Sequence, residues 1–171
     1  MRAKYIYENI LIPKSKEDIL DSMKYMKPDK LLVQSVHKNF IEGVKHALEN
    51  GANVHIMNDE NLRIATENGQ TEIVKLLLYN GADVHAKNDI CLQNASFHGY
   101  YDIVKLLLDN GADVHADQDY SLRSAITNNK YEIVKLLLDN GADVHVLNNR
   151  PIKLAKHYKY DNISELLTQY M

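Results

Sequence analysis

From residue 59 onward, apolar residues alternate between two helical patterns. One stretch sets Leu62 and Ala65, Leu92 and Ala95, or Leu122 and Ala125 three positions apart, a spacing that puts both side chains on one face of a helix. Another sets Ile73, Val74, Leu77 and Leu78 on one stripe, and the stripe returns at Ile103, Val104, Leu107, Leu108 and at Ile133, Val134, Leu137, Leu138. Each block therefore predicts two short helices. Asp59, Asp89 or Asp119 precedes the first helix, where a carboxylate is expected to accept from the free N–H groups of the first turn. Gly69 and Gly99, with Asn39 and Asn129 in the equivalent places, supply the turn between helices, because these residues tolerate positive φ. The second helix is predicted to stop at Asn80-Gly81, Asn110-Gly111 and Asn140-Gly141, where glycine adopts the left-handed cap.

The hexapeptide NGADVH occupies 80–85, 110–115 and 140–145, and NGANVH occupies 50–55, so the unit recurs every thirty residues. Repetition at this period points to stacked repeats, since a helix pair this short buries its apolar face only against a neighbouring pair. The expected repeat domain is 30–171, with helix pairs at 30–50, 59–80, 89–110, 119–140 and 149–171. The outer two read as caps. The first keeps Leu32, Val44 and Leu48 but places Gly43 and Ala47 at core sites, and the last puts Thr168 where the interior blocks have leucine. Residues 1–29 do not continue the repeat; Ser15 with Ile19, Leu20, Met23 and Met26, ended by Pro28, predicts a helix that covers the first repeat.

Composition narrows the class. With 45% hydrophobic and 25% charged residues the chain is unlike a disordered one. Its 20 basic and 23 acidic residues leave a net charge of −3, which gives no reason to expect a nucleic acid or an anionic membrane as partner. Cys91 is the only cysteine, so no intrachain disulfide forms and a reducing compartment suits the chain. The first apolar run is broken by Glu8 and Pro13, and no stretch approaches the about 20 apolar residues of a membrane helix. The expectation is an intracellular, cytoplasmic monomer without cofactor or metal.

The glycine-alanine-aspartate-valine string, the Leu-x-x-Ala of the first helix and the Ile-Val-Lys-Leu-Leu-Leu of the second resemble ankyrin repeats over about 30–171. That resemblance implies an all-α fold, an ankyrin-repeat α-solenoid of stacked helix-turn-helix pairs. The family period is about 33 residues and its first helix opens with Thr-Pro-Leu-His. Here the period is shorter, and the corresponding positions read Glu60-Asn61-Leu62-Arg63, Ile90-Cys91-Leu92-Gln93, Tyr120-Ser121-Leu122-Arg123 and Arg150-Pro151-Ile152-Lys153. The projecting hairpin is accordingly expected to shrink towards a turn. Repeats of this wording are similar to the large ankyrin-repeat sets of giant amoebal (mimivirus-like) viruses.

His55, His85, His115 and His145 form a ladder. Helices pack about 8–10 Å apart, whereas zinc ligands lie about 2 Å from their ion, so neighbouring repeats do not bring these rings onto one metal. The family's asparagine at this position resembles a brace for the loop, and histidine is expected to do the same job. Braces that lose an acceptor on protonation are expected to soften the fold together at mildly acidic pH. Tyr100, Tyr101 and Tyr131 are expected to cover the helix turns. The pairs Glu72 and Lys75, Asp102 and Lys105, and Glu132 and Lys135 read as a solvated face. No nucleophile with a companion base, phosphate loop, CxxC pair or HExxH helix is present.

Positions that differ between repeats mark where a partner would bind. The sets are Glu60, Ile90, Tyr120 and Arg150; Arg63, Gln93, Arg123 and Lys153; and Glu67, Phe97, Thr127 and His157. The resemblance implies that this loop and first-helix surface is the concave groove that grips proteins. Arg63, Ile90, Gln93, Phe97, Tyr120, Arg123 and Lys153 are the expected contacts, since aromatic and arginine side chains dominate such sites. The function expected is a noncatalytic module for an unidentified protein partner, a host protein being the candidate. The alternative is a substrate-binding adaptor for a ubiquitin ligase or a regulator of a host enzyme, with the N-terminal segment docking elsewhere.

Overall fold

The computed structural model describes residue 23 and residues 25–171; the helix expected around Ser15, Ile19 and Leu20 lies outside them. Among the described residues there are ten α-helices and no strand. They run as five pairs: α1 (Pro28–His37) and α2 (Ile41–Glu49), α3 (Glu60–Glu67) and α4 (Thr71–Tyr79), α5 (Ala86–His98) and α6 (Tyr101–Asp109), α7 (Ala116–Thr127) and α8 (Tyr131–Asp139), α9 (Val146–His157) and α10 (Asp161–Gln169). The chain divides into two compact units, one reaching Ala65 and including Glu72–Ala82, the other formed by Thr66–Thr71 and Asp83–Met171.

In the first unit α1 opens at Pro28, just ahead of the boundary drawn at 30. Proline suits this position because its missing N–H has no helical partner there and its φ is already helical. Leu31, Leu32 and Val36 are buried against α2, whose Val44 and Ala47 are also sealed from solvent. Gly43 sets the approach of this pair. A Cβ there would sit 2.6 Å from Cδ1 of Phe40 and against the Ser35 hydroxyl, so the small residue at this core site is a condition of the packing. Met23 and Met26 line a depression with Leu31 and Ala47.

In the second unit α5 packs on α6 and α7, α7 on α8 and α9, and α9 on α10. Of the residues expected inward, Leu92, Ala95, Ile103, Val104, Leu107, Leu122, Ala125, Val134 and Leu137 are each 0% exposed, whereas Leu108 is only half-buried. The Asn-Gly stops act as caps on both residues. Gly111 has φ 90° and returns its N–H to the Leu108 carbonyl, while Asn110 Nδ2 donates to Leu106 O at 2.8 Å. Tyr100 lies over Gly69 of the turn Thr66–Thr71, its ring carbons 3.0–3.4 Å from where a Cβ would project. At the far end the Tyr170 hydroxyl donates to the Asp139 carboxylate, and this hydrogen bond raises the phenol above its ordinary value.

The shortened finger is a left-handed turn. Lys87, Asn88 and Asp89 have φ of 54°, 59° and 55°, and Asp117, Gln118 and Asp119 have 50°, 56° and 53°. Met57–Asp59 and Leu147–Asn149 adopt the same conformation. A non-glycine residue there costs about 1–2 kcal/mol, so three in succession persist only where contacts over-determine them. The turn supplies such contacts. His85 Nδ1 reaches across it to both oxygens of Asp89, at 3.2 and 3.3 Å, and Gln93 Nε2 donates to the Asn88 carbonyl at 2.9 Å.

This arrangement corrects the expectation that Asp89 and Asp119 cap their own helices. The Asp89 carboxylate is buried and accepts from His85 and from the backbone N–H of Asp113, at 2.9 Å; Asp119 accepts from His115 and from the N–H of Asp143, at 2.8 Å. Asp29 serves Asn53 in the same way at 2.7 Å within the first unit. With φ near 55° the aspartate is itself part of the turn, and its side chain is aimed at the following repeat.

Candidate functional site

Within the second unit the ends of α5, α7 and α9 enclose a groove of about 260 Å³. Phe97 stands at one side, Tyr120, Arg123 and Ser124 form the middle, and Arg150 and Tyr158 stand opposite. The left-handed turn fixes Tyr120 and Arg123, because the helix restarts immediately after Asp119. Arg123 then folds back over the turn, donating from Nε to Gln118 O at 3.1 Å and from the guanidinium to Asp117 O at 2.9 Å. Its guanidinium carbon lies 5.3 Å from the Tyr120 ring centre, close enough for a cation–π contact.

Arg123, Thr127 and Asn128 are held by local hydrogen bonds, while the groove's aromatic rings stay partly exposed. Thr127 Oγ1 donates to Arg123 O and Asn128 Nδ2 to Ser124 O, both at 2.9 Å. Phe97 is 48% exposed with its edge against His98, and Tyr158 is 42% exposed and stacked on Tyr160. Fixed polar groups and exposed rings suit recognition of a surface. Among the described residues no three His, Cys, Asp or Glu side chains are placed to share a metal ion, and Cys91 is buried.

A family model described as ankyrin repeats in three copies matches residues 31–118, 62–148 and 92–170. The chain belongs to the ankyrin-repeat family. No curated protein matches it. Its fold class is all-α, that of the ankyrin-repeat solenoids, whose members in general are protein–protein interaction modules and typically noncatalytic.

The ankyrin-repeat positions chosen from sequence do not all meet. Phe97, Tyr120 and Arg123 line one groove, and Lys153 lines an adjoining depression with Arg150, Leu154, His157 and Tyr158. Gln93 is only 8% exposed and is committed to its turn carbonyl, and half-buried Ile90 does not line the groove. Arg63 belongs to the first unit and holds Glu60 three residues earlier, Nε to Oε2 at 3.0 Å. Tyr158 and Ser124 were missed. Tyr158 stands in register with Asn68, His98 and Asn128, a set as variable as those chosen.

The histidines of these ankyrin repeats are braces, but of opposite hydrogen-bonding sense to that expected. A carboxylate only accepts, so Nδ1 of His55, His85 and His115 donates to Asp59, Asp89 and Asp119, at 3.2, 3.2 and 3.1 Å. His145 Nδ1 donates likewise to Asn149 Oδ1 at 2.8 Å. Because Nδ1 carries its proton in the braced ring, protonation of the ring leaves the brace in place. The expected collective softening in acid therefore has no basis in this geometry.

Proposed function

We propose that this ankyrin-repeat chain is a noncatalytic module that binds a protein partner in the groove between α5, α7 and α9. The observation that carries the reading is the meeting of Phe97, Tyr120 and Tyr158 around one groove, each 39–48% exposed. Large side chains left open beside arginine are the composition of interface hot spots, and burying them against another protein removes their apolar surface from water. The module works as an intracellular, cytoplasmic monomer. The thirty-residue repeat, similar to those of giant amoebal viruses, supports a host protein as the partner.

Affinity capture from cell lysate tests the reading, comparing wild type with Phe97→Ala, Tyr158→Ala. Arg123 is left intact because it braces the Asp117–Asp119 turn. Circular dichroism checks that the variant keeps its helices. Loss of a wild-type partner from the folded variant supports the groove; retention of every partner contradicts it.

A further inference from the structure

The last repeat departs from the others in charge. In the first unit the helix after the left-handed turn opens with Glu60 and Arg63, three apart and hydrogen-bonded. At the same two positions α9 carries Arg150 and Lys153, so a favourable helical pair is replaced by two like charges, which weakens a helix. Both are exposed, and neither makes a hydrogen bond or ion pair with a described residue. The preceding turn ends in Asn149 where the other repeats have Asp59, Asp89 and Asp119, which withdraws a further negative charge. No carboxylate lines the groove or the depression beside it, while Arg123, Arg150, Lys153 and His157 do.

We infer that the groove takes a short acidic segment of the partner protein, with an apolar side chain among Phe97, Tyr120 and Tyr158 and carboxylates on Arg150 and Lys153. This rests on the groove reading and adds the chemistry of the occupant. A bidentate carboxylate suits the planar Arg150 fork, and Lys153 adds a point charge. A nucleic acid is disfavoured because the chain's net charge is −3, so a long polyanion meets repulsion outside the groove.

Fluorescence anisotropy with a short fluorescein-labelled peptide, glutamates on either side of a central phenylalanine, tests the inference. The controls are the same peptide with glutamine for glutamate, and a labelled oligothymidylate. The acidic peptide is expected to bind, to weaken as salt is raised, and to bind about tenfold better than the glutamine peptide. Arg150→Glu, Lys153→Glu, which changes only exposed side chains, is expected to weaken it by a similar factor. Equal binding of the two peptides, or no effect of the charge reversal, overturns the acidic assignment. So does failure of the acidic peptide to bind, or equally tight binding of the oligothymidylate. The groove reading is judged separately, by the lysate capture with Phe97→Ala, Tyr158→Ala; it survives if those rings are needed and the charges are not.

Discussion

The buried Asp89 carboxylate accepts the backbone N–H of Asp113, 2.9 Å away and one repeat further on, while His85 Nδ1 donates to it from the other side of its turn. One side chain thereby braces a left-handed turn and joins two repeats. Asp89→Ala removes both bonds and leaves the Asp113 N–H unpaired, which is expected to cost about 2–4 kcal/mol. Asp89→Asn keeps an acceptor, as Asn149 does for His145, and is expected to cost about 1 kcal/mol. Denaturant midpoints for both variants decide this. Equal losses would mean that charge, not the hydrogen-bond pattern, is what the position requires.

Arg123 and Gln93 occupy equivalent places and do equivalent work on the turn carbonyls. Arg123→Gln is therefore expected to stay within about 0.5 kcal/mol of wild type, while Arg123→Ala loses about 1–2 kcal/mol. The same unfolding measurement applies. An alanine variant as stable as wild type would show that the turn holds without its second brace.

For the histidines, the geometry predicts which ring nitrogen carries the proton in the neutral form. Long-range nitrogen–proton NMR spectra are expected to show Nδ1 protonated in His55, His85, His115 and His145. Protonation at Nε2 instead would remove the brace described for that ring.

Two glycines are needed for different reasons. Gly43 has normal helical backbone, but its added Cβ collides with Phe40; Gly111 has open space around it but φ 90°. Gly43→Ala is expected to lose about 2–3 kcal/mol by overpacking, and Gly111→Ala about 1 kcal/mol by strain. Thermal unfolding of the two variants ranks them, and the reverse order would contradict the packing account.

Tyr170 gives a pH dependence with a definite sign. Its hydrogen bond to Asp139 raises the phenol above its unfolded value, so the contact contributes fully below the ordinary phenol range near pH ~10. It is lost as pH rises through the raised folded value, where the phenolate has no proton to donate and faces a carboxylate. The small stability difference between wild type and Tyr170→Phe is expected to be constant from neutral pH to the onset of that range and to vanish above it. A difference that persists in strong alkali would assign it to packing.

The helical stripes and Asn-Gly stops were readable because each depends on local geometry and recurs in register: Leu92 and Ala95 are buried for the same reason as Leu122 and Ala125. The role of Asp89 was not readable. Its backbone partner lies 24 residues away, and nothing in the segment Lys87-Asn88-Asp89 announces three left-handed residues beyond its content of Asn and Asp. The groove was half legible. Exposed aromatics among variable positions pointed to Phe97 and Tyr120, but Tyr158 required knowing where the end of α9 falls against α7. Conversely, Gln93 looked like a free surface residue because its position varies, although glutamine and arginine there meet one need, a donor for the turn carbonyl.

The groove, and not another face, is the surface proposed to meet the partner. Photocrosslinking tests it most directly: benzoylphenylalanine replaces Tyr158 in the groove or, in a second variant, exposed Tyr101 at the start of α6, and each is irradiated with the captured partner. A covalent adduct is expected from position 158 and none from 101. An adduct from 101 alone would contradict it.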